Sequence, residues 1–250
     1  MTVSSDASRI PQIEPSRVPT ERPGQEGGTR ATNRVARTQQ ISGAALRAFL
    51  ERSIDGVTID DVTRDAGVAK GSFYRYFESK EALVRSLIGP LGQHALQIMN
   101  ACADALQNAR DRDALFAAFL DMSLQLADLL SNQPDLVMLY LQEGRAPAVG
   151  DRRVIRELSD AVGDAAIRIT YAARSHGLLR DVPPQVSALT VVGAVERLVF
   201  EYLHARLPLA PDVIAQAVVS IILEGVSLGP NDPAASSASS ADSAETPSVD

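Results

Sequence analysis

Two short helical patterns joined by a four-residue turn constrain the fold of this sequence more than any other feature. Thr58 is typical of a helix N-cap, and Asp60 and Asp61 suit the first turn because the helix dipole favours carboxylates there. Gly67 is typical of a helix end, and the next helix is predicted over residues 70–77. Two short helices at this spacing predict a helix-turn-helix motif.

The second helix of this motif has an unusual composition. The stretch KGSFYRYFESK, residues 70–80, holds both lysines of the chain and four of its eleven aromatic residues. At about 100° per residue, Phe73 and Phe77 share the face that packs against the preceding helix. The opposite face begins with small residues and then presents an arginine, while the tyrosines lie on the two flanks.

The outward face suits the major groove of DNA. Gly71 and Ser72 let the backbone approach closely, and Arg75 can reach O6 and N7 of a guanine. Tyrosines and lysines beside them can contact phosphates. In the alternative, Tyr74 and Tyr76 are half-buried packing residues and the lysines are only solvated. The helix-turn-helix spacing favours the DNA-binding interpretation.

The rest of the sequence predicts an all-α fold, because Ala and Leu dominate and strand-type alternation is nearly absent. A first helix is predicted over residues 34–53. A fourth, long helix follows Ser79, and Gly89-Pro90 is expected to kink it. Further helices are predicted over residues 111–131, 134–144, 150–176, 183–206 and 211–227.

Composition excludes several classes of protein. The single cysteine, Cys102, excludes an intramolecular disulfide and a thiolate metal cluster, and its apolar surroundings predict a buried, inert thiol. No secretory signal and no apolar run of about 18 residues is present, so a cytoplasmic protein without a membrane span is expected. No catalytic motif, metal-ligand spacing or cofactor-binding motif is found. An enzyme, a metal site and a cofactor are therefore not predicted.

Charge is unevenly distributed along the chain. The formal net charge is −7, but residues 1–90 carry 13 basic and 11 acidic side chains, whereas residues 91–250 carry 11 basic and 20 acidic ones. Phosphate binding responds to the local field, so an acidic body with a basic head is compatible with DNA binding. A solvated surface without a nucleic-acid partner is the alternative.

From Arg34 to Leu83, and above all in TIDDVTRDAGVAKGSFYRYFESKEAL, the sequence resembles the TetR-type transcriptional repressors. The resemblance implies an all-α homodimer with an N-terminal three-helix domain that binds double-stranded operator DNA. It also implies a C-terminal helical domain that binds a small-molecule effector and mediates dimerisation. By position, the DNA-contacting residues of the family correspond to Thr58, Lys70, Gly71, Ser72, Tyr74, Arg75, Tyr76 and Lys80.

These patterns divide the chain into four segments. They are a disordered leader over residues 1–29, a helix-turn-helix DNA-binding domain over 30–80, a helical ligand-binding and dimerisation domain over 81–228, and a disordered acidic tail over 229–250. Arg30, Arg34 and Arg37 are candidates for an arm that reaches a minor groove or phosphates. A solvated basic extension is the alternative.

The effector pocket is predicted from apolar and aromatic residues in the middle of the body. The candidates are Phe119, Met122, Leu126, Met138, Leu141, Tyr171 and Phe200, with Val195 beside them. Plain core packing is the alternative for each. Glu143, Arg174 and Glu196 lie close to apolar runs and are candidates for orienting a ligand, or else for surface positions.

The last two predicted helices, 183–206 and 211–227, are apolar beyond what one outer face needs. The apolar excess predicts a surface for a partner, and the resemblance implies that the partner is a second copy of the chain. A central place in the monomer core is the alternative. The sequence as a whole predicts a ligand-released repressor that binds a palindromic operator as a dimer. An activator or a ligand-independent regulator of the same fold, and a helical scaffold protein that does not bind DNA, are the alternatives.

Overall fold

The structure is a computed structural model that describes residues 29–147, 149–175 and 182–226, without the side chains of residues 29–31 and 223–226. Throughout these ranges the regular structure is helical and contains no strand, so the all-α prediction is confirmed. The predicted leader and tail lie outside the described residues, except that Thr29 begins the first helix.

Nine α-helices and one short 3₁₀ turn make up the described chain. The helices are α1 (Thr29–Arg52), α2 (Ile59–Asp65), α3 (Lys70–Phe73), α4 (Lys80–Asn108), α5 (Arg112–Asn132), α6 (Pro134–Glu143), α7 (Arg153–Arg174), α8 (Pro184–Leu203) and α9 (Pro211–Val226). The 3₁₀ turn, Gly150–Arg152, leads directly into α7. Most predicted bounds lie within a few residues of these.

One helix bound near the N-terminus needs correction, whereas the predicted kink at Gly89-Pro90 stays a prediction. The α-helical hydrogen bonds of α3 end at Phe73, because the next amides of Arg75 and Tyr76 bond to carbonyls three residues earlier, in a tighter turn. The long helix α4 continues through Pro90, which lies exposed inside it. Pro90 therefore removes a hydrogen bond but does not end the helix.

The described residues fall into two units, one that ends at Arg37 and one that begins at Thr38. In the second unit, α2, α3, the start of α4 and α1 from Thr38 onward surround one apolar cluster, and we call this part the head. Phe49, Ile54, Phe73 and Leu83 are completely buried there. Residues of α6 and α7 complete the same cluster, so the head shares its core with the helices that follow.

The remaining helices, from the middle of α4 to α9, form what we call the body. There α4 packs against α5 and α7, α7 packs against α8, and α5 packs against α9. Gly92 permits the close approach of α4 to α7, because a Cβ at this position would lie 2.6 Å from a methyl carbon of Leu158.

Cys102 is buried between α4 and α5, and burial raises the pKa of its thiol to about 12. Burial and the raised pKa both agree with the prediction that this thiol is inert.

Among the described helices, α5 meets the length and composition expected of a membrane span. It nevertheless carries aspartates at its start and along its length, and it packs against α4 and α9. Apolar core helices of globular proteins meet the same criterion.

Candidate nucleic-acid interface and internal cavity

The turn between α2 and α3 is fixed by backbone hydrogen bonds. Gly67 has a φ of 64°, in the left-handed region that glycine adopts without strain. The amide of Val68 donates to the carbonyl of Thr63 at 2.9 Å, and the amide of Gly67 donates to the carbonyl of Arg64 at 3.1 Å. This pair of bonds is a Schellman motif, and it sets the angle at which α3 leaves α2.

The N-terminus of α2 is closed by a capping box. The amide of Asp61 donates to Thr58 Oγ1 at 3.1 Å, and the Thr58 hydroxyl donates to Asp61 Oδ2 at 2.6 Å. The backbone amide of Thr58 also donates to Asp61 Oδ2, at 2.9 Å. The hydroxyl and amide of Thr58, together with Arg64, hold the pKa of the Asp61 carboxyl well below its usual range. The single hydroxyl proton of Thr58 is thus already used inside the protein. Thr58 thus acts as a helix cap, and its predicted contact with DNA stays a prediction.

The side chains of residues 71–77 divide between an inner and an outer side. Phe73 and Phe77 are buried in the head, where their ring centroids lie 5.6 Å apart. Gly71, Tyr74 and Arg75 are exposed. Ser72 and Tyr76 are half-buried, and Tyr76 packs against the core of the head. We call Lys70, Gly71, Ser72, Tyr74 and Arg75 the outer face.

The outer face is open to a partner. A Cβ at Gly71 would meet no heavy atom within 4 Å, so packing within the described chain does not require glycine there. Tyr74 is 51% exposed, and its ring makes an edge-to-face contact with the ring of Phe73. Arg75 forms no ion pair with any described residue. Lys70 pairs with Asp60 at 2.8 Å, but both side chains are more than half exposed, and such a pair exchanges readily for a phosphate.

Lys80 does not belong to this surface. Its Nζ donates to the carbonyls of Ile54 and Val57 at 2.8 and 2.9 Å and pairs with Asp151 at 3.0 Å. Only 15% of the side chain is exposed. In this structure its charge holds the loop between α1 and α2, and a contact of Lys80 with a phosphate stays a prediction.

A cluster of charged residues, which we call the ionic tie, fastens this loop to the body. Glu143, at the end of α6, is 3% exposed and accepts a hydrogen bond from the amide of Ile54 at 2.9 Å. Arg152 bridges Glu143 and Asp55. The members of the ionic tie are Asp55, Lys80, Glu143, Asp151 and Arg152. Sequence reasoning missed this cluster because its members are far apart along the chain and share no spacing rule.

The three arginines of the predicted arm lie on the first turns of α1, in the unit that ends at Arg37. Arg34 and Arg37 are exposed, and the side chain of Arg30 lies outside the described residues. Their role in DNA binding stays a prediction.

The body contains a partly open cavity of about 290 Å³ with mostly aliphatic walls. It is lined by residues of α4, α5, α6, α7, α8 and α9, and Leu91, Met99, Val162, Val191 and Ile214 are typical of its surface. Among the described residues, Glu196 on α8 is the one charged side chain in the lining. Small polar groups, such as the hydroxyls of Ser123 and Thr170, are scattered around it.

Four of the residues predicted for the pocket line this cavity: Phe119, Met122, Leu126 and Leu141, and Val195 joins them. The other three do not. Tyr171 follows Thr170, which lines the cavity, and therefore lies about 100° further round α7. Its side chain is 53% exposed. Met138 and Phe200 are half-buried away from the lining, and Phe200 stacks on His204 with ring centroids 4.1 Å apart.

The three polar candidates have three different positions. Glu196 lines the cavity, Glu143 is buried in the ionic tie, and Arg174 donates to the carbonyl of Val182. Surface placement is therefore wrong for Glu143. Among the described residues, no three potential metal ligands come together, and His176 lies outside those residues.

An all-α chain with a helix-turn-helix head and a cavity in a helical body has the architecture of one-component transcription factors. Residues 41–87 match the family model described as "Bacterial regulatory proteins, tetR family". The resemblance to the TetR family found in the sequence is therefore confirmed over these residues of the head.

Curated relatives and a solved structure carry related descriptions. The HTH-type transcriptional regulator YvdT of Bacillus subtilis, described as uncharacterized, is 29% identical over 108 residues, which are 43% of this chain and 52% of YvdT. The HTH-type transcriptional repressor DhaR of Mycobacterium sp. strain GP1 is 47% identical over 51 residues, 19% of this chain and 26% of DhaR. The match thus spans about half of YvdT and about a quarter of DhaR.

The transcriptional regulator FadR of Bacillus subtilis, solved in complex with stearoyl-CoA, superimposes with a TM-score of 0.55 at 18% identity. The superposition covers 75% of this chain and 98% of FadR. At this identity, the likeness concerns the fold of both head and body.

Proposed function

We propose that this protein is a ligand-responsive transcriptional repressor that binds a palindromic operator as a homodimer and is released by a small molecule. The outer face of α3 is the observation that carries the proposal. Its inner residues, Phe73 and Phe77, are anchored in the core of the head, while Gly71, Tyr74 and Arg75 are presented to solvent. A rigid element with a small leading residue and a projecting arginine is suited to reading a major groove.

Within this proposal, the side chains of the outer face have different roles. Arg75 would donate to a guanine edge, and Gly71 would allow the backbone to approach the bases. Lys70 and Tyr74 would contact phosphates, with Lys70 leaving Asp60 for the DNA. Tyr76 is half-buried and would support the outer face while its hydroxyl contacts a phosphate at the edge.

Homodimerisation is supported by apolar surface on the last two helices. On α9, Val213, Ala217 and Ile221 are exposed at intervals of four residues, and Ile221 is 71% exposed. On α8, Val186 and Leu189 are more than half exposed, and Gly193 has open space around it. A stripe of this kind on two adjacent helices suits a self-complementary four-helix interface.

The cavity and the ionic tie together supply a route for release. Helix α6 contributes Val137, Tyr140 and Leu141 to the cavity lining, and Glu143 follows on the same helix. A ligand that shifts α6 would therefore shift the carboxylate that holds the amide of Ile54 in the head. Such a ligand would favour dimers in which the two outer faces no longer match the spacing of the grooves.

The comparisons support the same function. DhaR is described as a repressor, and FadR was solved in complex with stearoyl-CoA, so one relative represses transcription and one protein of this fold holds a ligand. These relatives are regulators and not enzymes, in keeping with the prediction for this chain. DNA binding would take place in the cytoplasm.

A salt titration with DNA that flanks the gene of this protein tests the proposal. Arg75→Ala is expected to weaken binding by about 1–3 kcal/mol, because a bidentate contact with guanine has this magnitude. Arg110→Ala is the matched control, since Arg110 is also exposed and follows the far end of α4. Equal affinity of both variants at low and high salt would contradict the proposal and favour a scaffold without a DNA-binding role.

A further inference from the structure

The cavity of the body combines a large apolar surface with one carboxylate. Residues of six helices form its walls, and these are almost entirely aliphatic, aromatic or small side chains. Among the described lining residues, Glu196 alone carries a formal charge. An apolar wall supplies affinity for any hydrophobic molecule, whereas a single polar group decides which functional group that molecule carries.

The carboxylate of Glu196 is held in place from one side. Tyr140 Oη donates to Glu196 Oε1 at 3.0 Å, and burial together with the charge of Glu196 raises the pKa of the Tyr140 hydroxyl, which therefore stays protonated. Arg145 Nη2 lies 3.9 Å from Oε2, at the outer limit of an ion pair, and its side chain is 73% exposed. Oε2 thus lacks a close donor from the described side chains and is the open end of the group.

The Glu196 side chain is 26% exposed and lines the cavity, so a ligand that covers Oε2 would remove its access to solvent. A ligand without a donor would leave a desolvated carboxylate oxygen unpaired, which costs about 1–3 kcal/mol or more. A ligand carboxylate would add repulsion between like charges in an apolar environment. A protonated amine removes both costs, because it donates a charge-assisted hydrogen bond to the carboxylate.

We propose that the cavity takes an apolar molecule with one protonated amine, whose N–H group donates to Glu196 while Tyr140 orients the carboxylate. This inference rests on the proposed function, in which the same cavity is the effector site. It goes further because it names the chemical class of the effector. The hydrocarbon part of such a ligand would lie along α4, α5 and α9, and its amine would lie between α6 and α8.

Three probes with the same alkyl chain separate the contribution of the head group from that of the chain. They are decylammonium, 1-decanol and decanoate. Their dissociation constants with the full-length protein are measured by isothermal titration calorimetry, at concentrations at which none of the three aggregates. Decylammonium is expected to bind about tenfold or more tightly than decanoate, with 1-decanol between them. Decanoate binding as tightly as decylammonium, or no binding of any probe, would overturn the proposal.

Substitution of Glu196 tests whether this residue is the cause. Glu196→Gln keeps the shape of the side chain and is expected to reduce the preference for decylammonium over decanoate by about tenfold, with little effect on 1-decanol. Glu201→Gln is the matched control on the same helix, because Glu201 pairs with Arg197 and does not line the cavity. An unchanged preference in Glu196→Gln, or an equal change in Glu201→Gln, would overturn the role of Glu196.

Release of DNA is measured separately with the same probes. If decylammonium binds through Glu196 but leaves DNA affinity unchanged, the ligand class stands and the release function fails. If decanoate releases DNA while decylammonium does not bind, the release function stands and the proposed ligand class is wrong.

Discussion

Lys70 and Lys80 look equivalent in the sequence but occupy different environments. Lys70 is more than half exposed and pairs with Asp60, whereas Lys80 is largely buried and binds two carbonyls and Asp151. An exposed ion pair contributes little to stability, whereas a buried charge bonded to backbone carbonyls contributes substantially. We therefore expect Lys70 to serve DNA binding and Lys80 to serve the stability of the fold.

The same substitution at both positions tests this difference. Lys80→Met is expected to lower the free energy of unfolding by about 1–3 kcal/mol, because two carbonyls and Asp151 lose their partner. Lys70→Met is expected to change the free energy of unfolding by less than about 0.5 kcal/mol. It should also reduce the slope of log affinity for DNA against log salt concentration by about 1, which corresponds to the loss of one phosphate contact. Urea denaturation followed by circular dichroism gives the first quantity and a salt titration the second. Equal loss of stability in both variants would contradict the assignment.

The sequence predicts the direction of a side chain when local periodicity decides it. Phe73 and Phe77 are four residues apart, and the structure buries both as expected. Periodicity does not reveal that a local cap binds the hydroxyl of Thr58 and that tertiary contacts bind the ammonium group of Lys80. The partners of Lys80 lie more than twenty residues away along the chain, and only packing brings them together.

At the scale of elements, helix α6 joins two sites. One part of it lines the cavity, and its last residue, Glu143, reaches the loop between α1 and α2. The pattern of α6 in the sequence predicts its bounds but not this double contact, because apolar spacing marks a buried face without saying what covers it. For the same reason, the apolar pattern predicts Met138 and Tyr171 in the cavity, whereas the structure places both outside its lining.

Removal of the Glu143 carboxylate is expected to weaken the attachment of this loop. Glu143→Ala leaves Arg152 short of one partner and the amide of Ile54 without its acceptor, and should cost about 3–5 kcal/mol of stability. The control Glu157→Ala removes an exposed partner of Arg85 and should cost less than about 1 kcal/mol. Hydrogen exchange of the Ile54 amide should speed up only in Glu143→Ala. Unchanged exchange there would show that the ionic tie does not hold the loop.

At the scale of the whole molecule, the proposed binding of a palindrome requires a second copy of the chain. A single outer face would read one half-site, whereas a palindrome needs two faces related by a two-fold axis. The exposed apolar residues of α8 and α9 supply a surface for this pairing.

Charged substitutions on that surface test the proposed dimer. Ile221→Glu combined with Val186→Glu is expected to shift the sedimentation mass to that of the 26.6 kDa monomer and to weaken DNA binding. Leu124→Glu on α5 is the control, because Leu124 is also exposed and lies on a different helix. A dimer that survives the first pair but is lost with Leu124→Glu would place the interface elsewhere.

Selection of DNA fragments from a random library by the full-length protein tests the central claim most directly. The account predicts enrichment of an inverted repeat whose half-site centres lie about one helical turn, 34–36 Å, or a multiple of it apart. It also predicts that Arg75→Ala relaxes the selection at a guanine in each half-site. Enrichment of no sequence, or of a single unrepeated site that Arg75→Ala selects equally well, would contradict the claim.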